Sequence, residues 1–399
     1  VSNLNNSKGK GIDCFSTNVI KSIVNVIADP LAIIFNKSFE EGLFPSRLKH
    51  AKVTPIFKSN NKALVNNYRP ISVLPLFSKI LEKLMYVRLI KFINIHHLLS
   101  DNQYGFRDNF STSLAIIEMS DQITSKMDNN EYSVGIFLDF SKAFDTINHA
   151  ILIKKLEVYG IRGKALQWFT SYLMNRQQQV FVNNVLSDSQ VIKCGVPQGS
   201  ILGPLLFLLY INDIINTSKF LKFIMFADDT NLFYSHKDLN ILADIINIEL
   251  CKVSLWLKLN KLSLNISKTH FILFRPRQKL CVTFPVLKIN NSVIDRVTTS
   301  KFLGIIVHEN LTWTDHINML YNKISKNFGI LRRIRYKLNR DILLVLYNTL
   351  IKPYLDYCCI TWASNHSNHL YKLMRLQKRL FGLYATRNGM YTHHHCLGH

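Results

Sequence analysis

The sequence predicts an α+β protein, and three observations carry that expectation. Strand-like and helical stretches are interleaved without the regular strand–helix–strand alternation of a doubly wound sheet. Two apolar stretches, "YSVGIFLDF" at 132–140 and "FIMFADDTNLFYS" at 223–235, have the β-branched and aromatic content of buried strands. From about residue 315 onward the apolar spacing is helical. With 399 residues, 48% of them apolar, the chain is long enough for two or three lobes and too hydrophobic for a disordered tail.

In chain order, residues 16–45 place Val19, Ile20, Ile23, Val26 and Ile27 at helical spacing, then Leu31, Ile34 and Phe35 beyond Pro30. That pattern predicts two helices broken at the proline. "AKVTPIFKSNN" (51–61) alternates as a strand does and ends in a polar turn. "SKILEKLMYVRLIKFIN" (78–94) is an amphipathic helix with Ile80, Leu81, Leu84, Met85 and Leu89 on one side. After the strand at 132–140, "HAILIKKLEVYGI" and "GKALQWFTSYLMN" are helices separated by "GIRG". "QQQVFVNNVLSDSQVIKCGVPQGS" reads as a β-hairpin around Asn183 and Asn184 feeding a Gly-Pro-rich loop. A long helix at roughly 238–258 precedes "HFILF", "CVTF", "VLKIN" and "KFLGIIV", each expected as a short strand.

The net charge of +23 points to an anionic partner, nucleic acid before membrane. The longest apolar run, residues 201–215, is too short to span a bilayer and contains Pro204, Asn212 and Asp213. The N-terminal stretch lacks the apolar core of a signal peptide and begins with Val, as a fragment would. Seven scattered cysteines without a CxxC pair suggest reduced thiols in an intracellular protein.

The chemistry is carried by carboxylates. Asp139 ends a buried strand, and the flanking strands place Asp228 and Asp229 at the tip of a hairpin. Taken alone, they also read as a solvated turn and a strand-end cap. If the strands are sheet neighbours, Asp139 and Asp228 converge, and a cluster of like charges calls for a cation. Mg²⁺, with its preference for hard oxygen ligands and phosphates, is the natural one.

The strings around these residues are "FLDFSKAFDTINH", "CGVPQGSILGPLLFLLYINDI" and "FADD". With "NNYRPISVLPLFSKILEKLM", "QYGFR", "SYLMNRQQQV", "LSLNISKTHFILF", "KFLGIIV" and "LYNTLIKPYLDYCCITW", in that order along nearly the whole chain, they make the sequence resemble a known family. It is similar to the reverse transcriptases of LINE-type (non-LTR) retrotransposons, most closely the jockey-like group. The resemblance implies a right-hand polymerase with an antiparallel palm sheet. Its expected parts are an N-terminal helical extension (1–50), fingers (51–130), a palm with inserted fingers elements (131–310) and a helical thumb (311–399). The implied activity is RNA-directed DNA polymerisation, and the implied partners are an RNA template, a DNA primer or nicked target DNA, and dNTPs. Two Mg²⁺ ions, with Mn²⁺ able to substitute, are the implied cofactors. A nuclear location is likewise expected from the family.

The resemblance also assigns roles. Asp139 and Asp228 would be the principal metal ligands, Asp229 the supporting carboxylate, and the backbone carbonyl of Phe140 an additional ligand. Phe144, five positions after Asp139, matches the bulky residue that would clash with a ribose 2′-hydroxyl. Gln198 and Gly199 would bear on the template–nucleotide pair, and Lys58 and Arg69 on the triphosphate. Lys268 would assist the leaving pyrophosphate, and Arg107 would lie near the template. Lys323, Lys326, Arg332, Arg333, Arg335 and Lys337 would grip the duplex backbone. Without the endonuclease that the family usually carries, the chain is expected to copy RNA but not to nick a target. The alternative from another class is a truncated, catalytically inactive remnant that only binds nucleic acid. Among enzymes the rivals are an RNA-templated RNA polymerase and a group II intron maturase.

Overall fold

The computed structural model describes residues 11–385 apart from 14, 60, 277, 280–283, 291 and 364–367. The terminal "THHHCLGH" and most of "CVTF" lie outside the described residues. Helices α1 (Thr17–Ser22) and α2 (Val24–Glu41) lead into β1 (His50–Phe57), β2 (Tyr68–Val73), α3 (Leu76–Ile95) and α4 (Thr112–Asp128). Next come β3 (Tyr132–Leu138), α5 (His149–Val158), α6 (Gly163–Leu173), β4 (Gln177–Val182), β5 (Val185–Leu186), β6 (Gln190–Val191) and α7 (Leu202–Ile211). The hairpin β7 (Lys222–Phe226) and β8 (Asp229–His236) is followed by α8 (Leu239–Leu259) and β9 (His270–Phe274). Short strands β10 (Lys288–Ile289), β11 (Ser292–Val293), β12 (Asp295–Arg296), β13 (Thr299–Phe302) and β14 (Ile305–His308) come next. The last described part is helical: α9 (Thr314–Ile334), α10 (Arg340–Leu350), α11 (Lys352–Asp356), α12 (Cys359–Trp362) and α13 (Asn368–Ala385).

The central sheet has the order β12-β9-β3-β8-β7, antiparallel throughout except for the parallel β12–β9 pair. Every residue of β3 is buried. Val134, Ile136 and Leu138 join one core, with residues of α3, α5, α6, α7 and α8. Phe137 joins the other, with α4, α9 and α13. A strand covered on both faces needs apolar residues at consecutive positions, which is why β3 shows no polar alternation. Gly135 fits because a Cβ there would lie 2.7 Å from the Phe233 ring. A second sheet pairs β1 antiparallel with β2 and parallel with β4, so residues 177–191 return to join residues 50–73. Its β4–β5 hairpin turns at Asn183 and Asn184, both with positive φ, as expected for a two-residue turn.

Three local expectations are corrected. The N-terminal helices break at Ile23, and Pro30 lies inside α2. Val26, whose carbonyl loses its partner to Pro30, is 78% exposed, so water can satisfy that oxygen. Leu84, placed on the buried side of its helix, is exposed, while Ser78 and Glu82 are buried on that stripe. "KFLGIIV" is a hairpin and not one strand, because Leu303 and Gly304 adopt positive φ between β13 and β14.

Glu82 has a structural task. Its Oε2 accepts the N–H of Ile201 at 2.8 Å and of Leu202 at 3.3 Å, and Ser78 Oγ donates to its Oε1 at 3.2 Å. The carboxylate therefore caps the start of α7 together with Ser200, whose Oγ accepts the Gly203 N–H at 3.0 Å. Burial raises the Glu82 pKa, and the buried Arg176 guanidinium and the two backbone bonds oppose that rise. Replacing Glu82 by Ala leaves two donors orphaned and Arg176 without its counter-charge. Glu82→Ala is predicted to lower the unfolding free energy by about 3–5 kcal/mol in urea titrations, with Glu82→Gln losing less. A loss below about 1 kcal/mol for the alanine variant would remove the capping assignment.

Candidate active site

The β3–β8 register, with Leu138 opposite Thr230, brings the C-terminal end of β3 level with the start of β8. Asp139 follows β3 directly. Its N–H donates to Thr269 Oγ1 at 3.3 Å, and its carbonyl accepts the Asn265 N–H at 2.8 Å. On the neighbouring hairpin Phe226 pairs with Asp229, so Ala227 and Asp228 form a two-residue turn, with Ala227 at φ 56°. Phe140 bridges to Leu264 through the Asp139 carbonyl and the Ser141 N–H, so this bridge does not use the Phe140 carbonyl.

The Asp-Asp turn is braced from behind by the "QYGFR" loop. Met225 exchanges backbone hydrogen bonds with Asn102 and Tyr104 at 2.9 and 2.7 Å. Gln103, almost fully buried, accepts the Ala227 N–H at 3.0 Å through its Oε1. Gly105 sits so close that a Cβ would lie 2.3 Å from the Ala227 nitrogen. Arg107, expected near the template, is committed to this loop. Its Nη1 donates to the Ser100 and Gln103 carbonyls at 2.6 and 3.2 Å, and its guanidinium lies 4.0 Å over the Phe110 ring.

Asp228 and Asp229 keep an exposed face at the turn, are partly desolvated by the groups around them, and feel the charge of Asp139. Burial raises the Asp228 pKa, and Asp139 adds to the rise; its own backbone N–H, Lys58 and Arg69 oppose it. Asp229 is raised from 3.8 to about 6, first by burial and then by Asp228 and Asp139, with Lys58 opposing. Lys268 Nζ lies 3.9 Å from Asp139 Oδ2. Thus Asp139, Asp228, Asp229, Lys58, Arg69 and Lys268, drawn from five separate stretches of chain, share one electrostatic field. Among the described residues no three His, Cys, Asp or Glu side chains close into a preformed metal cage. The donor set still suits a hard divalent cation: all-oxygen, anionic and mutually repelling without a counter-ion.

Phe144 is half-buried, its ring 4.6 Å from that of Phe207. The loop after Cys194 runs alongside it, with the Val196 N–H donating to the Phe144 carbonyl at 2.9 Å. Gln198 is bound to Asp145 through its side chain and to Ser72 of β2 through its carbonyl. Gly199, at φ +114°, passes so close to β2 that a Cβ would lie 2.7 Å from the Ser72 oxygen. The remaining basic residues stand apart on α9 and just beyond it. Lys323, Lys326, Arg332, Arg333 and Lys337 are exposed, and Arg335 is half-buried against Tyr336. Sequence reasoning missed Glu82, Gln103 and Asp145. Only Glu82 carried a signal, as a charge on the apolar stripe of a helix.

The three aspartates at one sheet end, with Lys58, Arg69 and Lys268 in their field, give a donor set that could hold a hard divalent cation beside phosphate. Residues 56–307 match the family described as reverse transcriptase (RNA-dependent DNA polymerase). The chain belongs to that family, which carries the right-hand polymerase fold. It is similar to a probable RNA-directed DNA polymerase from transposon X-element of Drosophila melanogaster, 27% identical, covering 94% of this chain and 42% of the other. It is equally similar to the RNA-directed DNA polymerase from mobile element jockey of the same organism, 27% identical, covering 93% and 41%. The chain thus spans about two fifths of the length of the curated relatives it matches. Among solved structures, a telomerase from Candida albicans aligns with a TM-score of 0.43 and 14% identity over 86% of this chain and 60% of that one. No helix among the described residues is long and apolar enough to cross a membrane.

The raised Asp229 pKa has a signed consequence for stability. The folded state holds this proton more tightly than the unfolded chain, so folding loses stability as pH rises from 3.8 through about 6. Asp229→Asn, compared with the parent in EDTA, is predicted to melt at nearly the same temperature at pH 4 and at a higher one at pH 7.5. Added Mg²⁺ should then stabilise the parent more than the variant. A melting difference that does not change with pH would contradict the shared field.

Proposed function

We propose that this chain is the RNA-directed DNA polymerase of a non-LTR retrotransposon, extending a DNA 3′-hydroxyl on an RNA template. The observation that carries the reading is the convergence of Asp139 with Asp228 and Asp229 at one sheet end, facing Lys58, Arg69 and Lys268. In this reading the β1–β2–β4 sheet with its flanking helices is the fingers, the central sheet the palm, and α9 to α13 the thumb. The RNA template, the DNA primer or nicked target, the dNTPs and a nuclear site of action belong to the same proposal.

Asp139, Asp228, Asp229 and the Phe140 carbonyl would hold the divalent ions, two Mg²⁺ with Mn²⁺ as a substitute. When bound, such ions supply activation of the 3′-hydroxyl and charge neutralisation at the leaving pyrophosphate. Lys58 and Arg69 bind the triphosphate, Arg through two bonds where geometry allows. Lys268, next to Asp139, offers a proton or a positive charge to the leaving group. Phe144 excludes a 2′-hydroxyl by overlap, because its ring is backed by Phe207 and cannot easily retreat. Gln198 and Gly199 face the template–nucleotide pair, and the exposed cations of α9 grip phosphates without reading sequence.

The test is primer extension on poly(rA)/oligo(dT) with Mg²⁺, alongside duplex binding. The parent should extend the primer. Asp228→Ala should lower extension by about a thousandfold or more while duplex affinity changes by less than about twofold. A variant that polymerises at the parental rate would remove the ligand assignment. A parent that binds duplex but never extends it would identify a non-catalytic remnant.

A further inference from the structure

Gln198 is held at both ends. Its carbonyl accepts the Ser72 N–H at 2.7 Å, which ties residue 198 to β2, the strand that carries Arg69. At the other end its Nε2 lies 3.0 Å from both Oδ1 and Oδ2 of Asp145. An ionised carboxylate offers only acceptors, so the amide NH₂ must face Asp145 and Oε1 must turn away. An untethered glutamine would present donor or acceptor alike, since its amide can flip about the last torsion. Both residues are half-buried, where a charge-assisted bond is stronger than on an open surface.

Backbone contacts tie the Asp145 segment to the loop. The Asp145 N–H donates to the Lys142 carbonyl at 2.9 Å, closing the turn that carries Phe144. The Gly195 N–H donates to the Ile147 carbonyl at 2.7 Å, and a Cβ on Gly195 would lie 2.6 Å from the Asp145 oxygen. The segment with Phe144 and the loop with Gln198 therefore form one unit, and the Asp145 side chain is the link between them that reaches the Gln198 amide.

We propose that Asp145 is a positioning residue that locks the Gln198 amide in one orientation, so that Oε1 meets a hydrogen-bond donor of the incoming nucleotide. The inference rests on the polymerase reading and adds to it a residue that touches no substrate. It acts through Gln198, so its effect belongs in nucleotide affinity and must vanish when Gln198 is gone.

The experiment is a double-mutant cycle on primed RNA template, with dNTP KM and kcat measured for the parent, Asp145→Ala, Gln198→Ala and the double variant. Each single change should raise the dNTP KM by about tenfold and alter kcat by less than about threefold, with the double variant no worse than either single one. Asp145→Asn, nearly identical in shape, should fall between parent and Asp145→Ala because it keeps one acceptor oxygen. It also covers the case in which the alanine variant does not fold. Binding of a fluorescent dNTP to the protein–primer–template complex provides the same comparison without turnover. Multiplicative effects in the double variant, or an unchanged KM in Asp145→Ala and Asp145→Asn, would overturn the proposal and leave the polymerase reading intact. A parent that neither extends nor binds dNTP would overturn both.

Discussion

The antiparallel register of β3 against β8 is the constraint on which the carboxylate-bearing end of the sheet depends. Leu138 opposite Thr230 sets Asp139 level with the Asp228–Asp229 turn, and strand periodicity leaves no partial slip available. A shift of one residue would exchange the two faces of β3, which are packed against separate cores. The register is thus specified by burial on both sides. The hydrophobic effect holds together three carboxylates that would otherwise repel one another.

Two further contacts carry that rigidity outward. The "QYGFR" loop pairs with β7 and holds the turn through Gln103, so the aspartates cannot relax away from each other by bending the hairpin. Glu82 pins the start of α7 from α3 and thereby anchors the loop that carries Gln198 and Gly199. That loop is in turn bonded to β2 and to the Phe144 segment. Sheet, loop and the β2 strand that carries Arg69 therefore position each other.

Most of the framework was legible in the sequence, because periodicity and the Asp-bearing apolar strands are local signals. Both the central strand and the hairpin with its acidic tip follow from residue types alone. The failures have physical causes. Pro30 suggested a break, yet a helix face open to water tolerates a lost hydrogen bond. Leu303 gave no sign of a turn, since Leu seldom takes positive φ. The hold on Arg107 by the Ser100 and Gln103 carbonyls, beside Asp101 and Phe110, was likewise not visible, because backbone partners leave no side-chain pattern. The bonds of Glu82 to Ile201 and Leu202 and of Asp145 to Gln198 join distant parts of the chain, where single-sequence reasoning has no reach.

The central proposal is that Asp139, Asp228 and Asp229 together hold a divalent cation. The most direct measurement is a carboxyl ¹³C NMR titration of these aspartates, assigned by substitution, with and without Mg²⁺. The expected result is an Asp229 midpoint near 6 without metal that Mg²⁺ displaces to lower pH. An Asp229 that titrates as an ordinary surface carboxylate, unmoved by Mg²⁺, would contradict it.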